Sequence, residues 1–209
     1  MLPPETIPPF FAAACLLALT PGPDNLFVLT QSTIHGKAAG LIITLGLCTG
    51  LVAHTLAVAL GVAAVIQASA TAFTVLKSVG AAYLLYLAWL SFRAKPDAAC
   101  GTPENSSNKR RFYRRGVAMN LSNPKVALFF LAFLPQFADP RRGSMEWQLI
   151  LLGGLFIGAT ILVFGGIALL AGAMNTALSR SSSAQSALNK GAGIVFAALA
   201  IRLMITGRE

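Results

Sequence analysis

The sequence predicts an all-α integral membrane protein of six transmembrane helices, built as two inverted three-helix repeats with helices 1 and 4 broken. Three observations lead there: the composition, the spacing of the apolar runs, and the prolines that interrupt runs one and four. Of 209 residues, 56% are hydrophobic and 11% charged, with a mean hydropathy of +0.70. Soluble domains carry about 25% charged residues, so this chain cannot cover a water-facing globule. Disorder is excluded by the same numbers, because it needs low hydrophobicity and high charge.

A spanning helix takes about 20 mostly apolar residues. Six runs qualify: 7–29, 38–66, 73–92, 116–137, 147–174 and 188–206. The first is too long for a signal h-region and lacks a basic n-region, so it is expected to stay in the mature protein. Runs two and five are rich in glycine (Gly40, Gly46, Gly50, Gly153, Gly154 and Gly158), and small residues let helices approach closely in lipid. Tyr83, Tyr86 and Trp89 share one side of run three, the position of packing residues or an interface belt. The chain is expected to be one transporter domain over 1–209, its halves about 1–95 and 110–209.

A basic loop at 93–115 joins these halves. It holds Arg93, Lys95, Lys109, Arg110, Arg111, Arg114 and Arg115, seven of the 16 basic residues. Cytoplasmic loops collect such charge. With this loop inside, ten basic residues fall on the cytoplasmic side and three to five outside, so both termini are expected outside. The formal net charge of +9 therefore reads as topology, and no nucleic-acid partner is expected. Three spans on each side of the loop place the halves in opposite orientations, the definition of an inverted repeat. Weak internal similarity agrees: Pro23-Asp24 and the apolar residues after it lie on Pro124-Lys125 and theirs.

Thr20-Pro21-Gly22-Pro23-Asp24-Asn25 interrupts run one. Two prolines remove backbone donors and clash with the preceding turn, so the helix is expected to break. Its freed carbonyls must then find protein or water partners, since lipid offers none. Asp24 is an acid at membrane depth, where an ionisable group marks function by default; as an alternative it merely caps the half-helix behind it. In run four, Asn120-Leu121-Ser122-Asn123-Pro124-Lys125 repeats the pattern, with Asn123 as N-cap and Pro124 at the first helical position. Lys125 in that first turn opposes the helix dipole, which makes sense if an anion sits between the ammonium and exposed helix-start N–H groups. The alternatives are a structural Lys125–Asp24 ion pair or a lysine snorkelling to the headgroups.

One acid and one base from two broken helices complement a small zwitterion, as an α-amino acid is. The substrate-binding residues are accordingly expected to be Thr20, Pro21, Gly22, Pro23, Asp24 and Asn25, with Asn120, Asn123, Pro124 and Lys125. Asp24 and His54 are the candidates for proton coupling, although His54 suits an interhelical hydrogen bond to a carbonyl better. No metal site is expected, for His35 and His54 are far apart and lack neighbouring acids. No cofactor is expected either.

These residues resemble a known family. Pro21 to Asp24, the His35-Gly36-Lys37 turn, the glycine-rich second run, Leu76 to Leu84 and Asn123 to Lys125 follow the order found in the LysE/RhtB family of bacterial inner-membrane amino-acid exporters, and the resemblance covers essentially the whole chain. It implies no enzyme but a multi-pass secondary transporter of the inner membrane. Such a protein exports an amino acid or derivative of the homoserine/threonine type, driven by an ion gradient, with the proton as the expected ion. The partners expected are the amino acid and the lipid bilayer, with a homodimer left open. Two rival functions compete with this one: a thiol-redox carrier using Cys15 and Cys48, and a non-transporting assembly subunit. The cysteines both lie in the first half, and a scaffold gains nothing from charges at depth.

Overall fold

The computed structural model describes residues 2–20, 22–68, 70–93, 108–171 and 182–205. Regular structure among them is entirely helical. Helix α1 (Ile7–Leu19) and α2 (Pro23–His35) are followed by α3 (Lys37–Ala68) and α4 (Ala70–Arg93), then by α5 (Lys109–Ser122), α6 (Pro124–Phe133), α7 (Met145–Leu169) and α8 (Ser182–Ile205). Short 3-10 turns precede α1 and follow α6.

Among the described residues, two stretches are long and apolar enough to cross a membrane unaided, Lys37–Gly61 in α3 and Met145–Leu169 in α7. Two more qualify as bent pairs: residues 4–19 with α2, bent by 63°, and α5 with residues 124–137, bent by 54°. Outward-facing leucines such as Leu45, Leu60 and Leu162 are exposed, a surface suited to acyl chains rather than water.

The helix starting at Lys109 corrects the expected loop at 93–115. Asn108 caps it, its side-chain carbonyl accepting the N–H of Arg110 at 3.0 Å. Lysine and arginine are good helix formers, so five of the basic residues form the first turns of α5 and not a loop. Residues 94–107 lie outside the described part. The first run is also longer than expected. It continues through His35 and stops where Gly36 adopts φ +82°, a left-handed conformation open to glycine.

Helix α3 packs along α5 and α7, α4 along α8, and α1 along α7. Glycine permits the closest of these crossings. A Cβ at Gly46 would strike the backbone of Tyr113, and one at Gly116 would lie 2.5 Å from the carbonyl of Ile43. Around the breaks sit two apolar clusters. One is aromatic: Phe133 packs on Phe129 (4.3 Å between centroids), Phe137 (4.6 Å) and Phe10 (5.5 Å). The other gathers Phe27, Ile43, Leu47, Phe112 and Phe164. Between them lies the polar centre of the molecule.

Candidate functional site

The two interruptions are chemically parallel. Residue 21 is a proline and offers no N–H to Leu17 O, and residue 124 is a proline and offers none to Asn120 O. Pro21 itself lies outside the described residues. At each helix end a hydroxyl turns back: Thr20 Oγ1 donates to Leu16 O at 2.9 Å, and Ser122 Oγ to Ala118 O at 2.8 Å. The residue before each proline tightens the last turn, Thr20 N donating to Leu17 O at 3.2 Å and Asn123 N to Asn120 O at 3.1 Å.

Side chains from elsewhere complete the pairing. Lys125 Nζ donates to Leu17 O (3.4 Å) and to Thr20 O (3.3 Å). His54 Nε2 lies 3.2 Å from Asn120 O, the interhelical contact with a carbonyl foreseen for it. Asn25 Nδ2 closes a third carbonyl of the first break, Ala18 O, at 2.6 Å. A buried carbonyl stripped of its partner costs about 1–3 kcal/mol, so these contacts stabilise the breaks themselves.

Asp24 is 6% exposed, and its partner is not Lys125, the one that the alternative of a structural ion pair requires. Its Oδ2 accepts from Asn123 Nδ2 at 3.1 Å, and no Asp24–Lys125 ion pair forms among the described residues. The lysine goes instead to the C-terminal end of α1, where the helix dipole and free carbonyls favour a cation.

The expectation of exposed N–H groups at the second break is corrected. The N–H groups that open α6 are taken: Lys125 N donates to Asn123 Oδ1 at 3.0 Å, and Val126 N and Ala127 N to Asn123 O at 3.1 Å. They are not available to an anion. Helix α2 differs. Gly22 is its N-cap in extended backbone, and no side chain caps it. Lys125 Nζ stands 3.7 Å from where a Gly22 Cβ would be. The ammonium and an uncapped helix N-terminus are therefore side by side at Gly22, a combination receptive to a carboxylate.

These groups share one cavity of about 30 Å³. Gly22, Asp24, Asn25, Asn120, Asn123 and Lys125 line it, and Leu17, Leu51, Val126 and Phe156 supply apolar wall. Among the expected residues, Thr20, Pro23 and Pro124 shape the breaks and do not line the space. His54 does not line it either, and touches it through Asn120. Sequence reasoning missed Thr160 of α7, which lines the cavity with a buried hydroxyl. Gly50, one of the glycines expected to allow close helix approach, lacks the Cβ that would exclude the Asn120 side chain. No group of three or more metal-ligating side chains occurs among the described residues. Cys15 and Cys48 are free thiols.

The LysE type translocator family model matches residues 15–207. A homoserine/homoserine lactone efflux protein of Salmonella typhimurium is 32% identical over 187 residues, 90% of each chain. An uncharacterized membrane protein of Vibrio cholerae is 30% identical over the same share of both chains. A leucine efflux protein of an Enterobacter species is 30% identical over 166 residues, 75% of this chain and 77% of that one. No solved structure gives a significant match.

Proposed function

The chain belongs to the LysE type translocator family, and from that premise we propose that it is a secondary transporter of the bacterial inner membrane that exports an amino acid or amino-acid derivative from the cytoplasm. The observation that carries this reading is the cavity at the junction of the two helix breaks, with one carboxylate and one ammonium on its wall. Their charges cancel, as do those of an amino-acid zwitterion. Lys125 uses two of its three N–H donors on carbonyls and keeps one for a substrate carboxylate, beside the uncapped start of α2 at Gly22. Asp24 faces the substrate ammonium. Thr20, Gly22, Pro23, Asn25, Asn120, Asn123 and Pro124 hold these two groups in place.

At about 30 Å³ the cavity has room for one or two waters and none for an amino acid. It must therefore widen before a substrate can enter. Widening it takes a change in the bends between α1 and α2 and between α5 and α6, where no continuous helix resists motion. Six spans in two inverted halves, with the 93–115 segment cytoplasmic, supply two such bends related by symmetry, the arrangement that alternating access uses. Asp24 is the proposed carrier of the exchanged proton.

The test is reconstitution. Liposomes containing the purified protein and preloaded with L-homoserine or L-leucine should lose the amino acid faster than empty liposomes, and faster still when the outer medium is acid relative to the lumen. Equal leakage from both sets of liposomes, across the common amino acids, would sink the proposal.

A further inference from the structure

Three buried polar atoms at the cavity make no hydrogen bond: Asp24 Oδ1, Asn120 Oδ1 and Thr160 Oγ1. Each residue is almost fully buried, at 6%, 2% and 1% exposure. They come from three different helices, α2, α5 and α7. A threonine in an apolar helix ordinarily satisfies its hydroxyl on its own backbone four residues back. Thr44, Thr49 and Thr55 all do so, at 2.9, 3.0 and 2.7 Å. Thr160 does not, although its helix offers the same carbonyl. An unmade bond at a buried site is costly, and three of them on residues that line one small cavity point to an occupant.

We infer that Asp24 Oδ1, Asn120 Oδ1 and Thr160 Oγ1 form the subsite for a primary ammonium group, with Thr160 as its specificity-determining member. The inference rests on the exporter reading above and names which atoms of that site grip which end of the substrate. A primary ammonium has three N–H donors, and the subsite has three oxygen acceptors. Asn120 Oδ1 can only accept, and so does Asp24 Oδ1 while ionised, so the ligand must donate. A bare metal cation would add uncompensated charge beside Lys125, whereas the ammonium of a zwitterion brings its own carboxylate for that lysine. The substrate ammonium meets these three oxygens when the cavity widens.

The experiment measures binding by calorimetry to purified protein, first screening L-homoserine and the common L-amino acids. The tightest binder is then compared with its des-amino counterpart, 4-methylpentanoate if it is leucine and 4-hydroxybutanoate if it is homoserine. Thr160→Val keeps the shape and removes the hydroxyl. It should weaken the amino acid about tenfold, leave the des-amino acid unchanged and keep the melting temperature within a few degrees. Thr160→Ser should restore amino-acid affinity. An equal loss for both ligands, or no loss for either, overturns the subsite while leaving the exporter reading intact. Failure of the unaltered protein to bind any amino acid overturns the exporter reading, and the subsite with it.

Discussion

Asn123 ties the two helix breaks together. Its Nδ2 donates to Asp24 Oδ2 at 3.1 Å across 99 positions of sequence, while its Oδ1 accepts the N–H of Lys125 at 3.0 Å. One side chain therefore caps α6 and orients the carboxylate at the start of α2. The two duties are separable. Asn123→Ser keeps a good N-cap but is too short to reach Asp24, and Asn123→Ala loses both. The serine variant leaves the Asp24 carboxylate without its amide donor, so it should lose about 1–3 kcal/mol and export poorly. The alanine variant should lose about 1 kcal/mol more with the cap, read as a still lower melting temperature in detergent. Normal export by Asn123→Ser would remove Asp24 orientation from the mechanism.

Much of this site is legible in the sequence because proline, glycine and asparagine act locally. Pro21, Pro23 and Pro124 delete particular backbone donors wherever they stand, and Asn123 before Pro124 is a helix start by its own chemistry. Asp24 and Lys125 stand out as charges in apolar runs. What these charges touch is not legible. An expectation that turns Lys125 to an anion at α6 overlooks that Asn123 alone satisfies three N–H groups there, and that α1 ends within reach with carbonyls to offer. Thr160 does not stand out because in sequence it is indistinguishable from Thr44 or Thr55, whose hydroxyls are spent on their own helix. The first turns of α5 are hidden by their charge, which signals topology and helix alike.

Gly50 should be as sensitive as any residue of the site. A Cβ there would lie 2.5 Å from Asn120 Oδ1 and 2.7 Å from Asn120 Cβ, so Asn120 would have to move. Gly50→Ala is expected to cost about 1–3 kcal/mol, the usual range for overpacking, and to lower export more than its stability loss accounts for. Gly61 is a control on the same helix, with nothing within 4 Å of a built Cβ. Gly61→Ala should leave melting temperature and export unchanged. Equal effects at both positions would mean that glycine matters here for helix flexibility and not for space.

His54 is expected to act by holding the carbonyl of Asn120. His54→Leu leaves that carbonyl with Asn123 N alone and should lower stability by about 1 kcal/mol. His54→Gln restores a donor on a side chain of similar reach. If export follows the donor, the glutamine variant will work and the leucine variant will not. If His54 relays protons, both variants will lose proton-driven export alike, and liposome assays with and without a pH gradient distinguish the two cases.

The sharpest prediction concerns exchanging Asp24 and Lys125. If the two were a structural ion pair, each single neutral substitution would leave one buried charge unpaired, at about 3–5 kcal/mol, and the swap Asp24→Lys with Lys125→Asp would restore both stability and export. The geometry gives the opposite expectation. Lys125 is bound to the carbonyls of Leu17 and Thr20, where an aspartate would bring a negative charge to the negative end of α1. Asp24 is bound to Asn123 in the first turn of α2, where a lysine would bring a positive charge to the positive end of that helix. Each half of the swap thus works against a helix dipole, at about 0.3–1 kcal/mol. It also strands the Thr20 carbonyl at the first break, at about 1–3 kcal/mol. The double variant should melt below either of Asp24→Asn and Lys125→Gln and should not export. Recovery of both properties by the swap would show that the two charges hold each other and that neither is kept for a substrate.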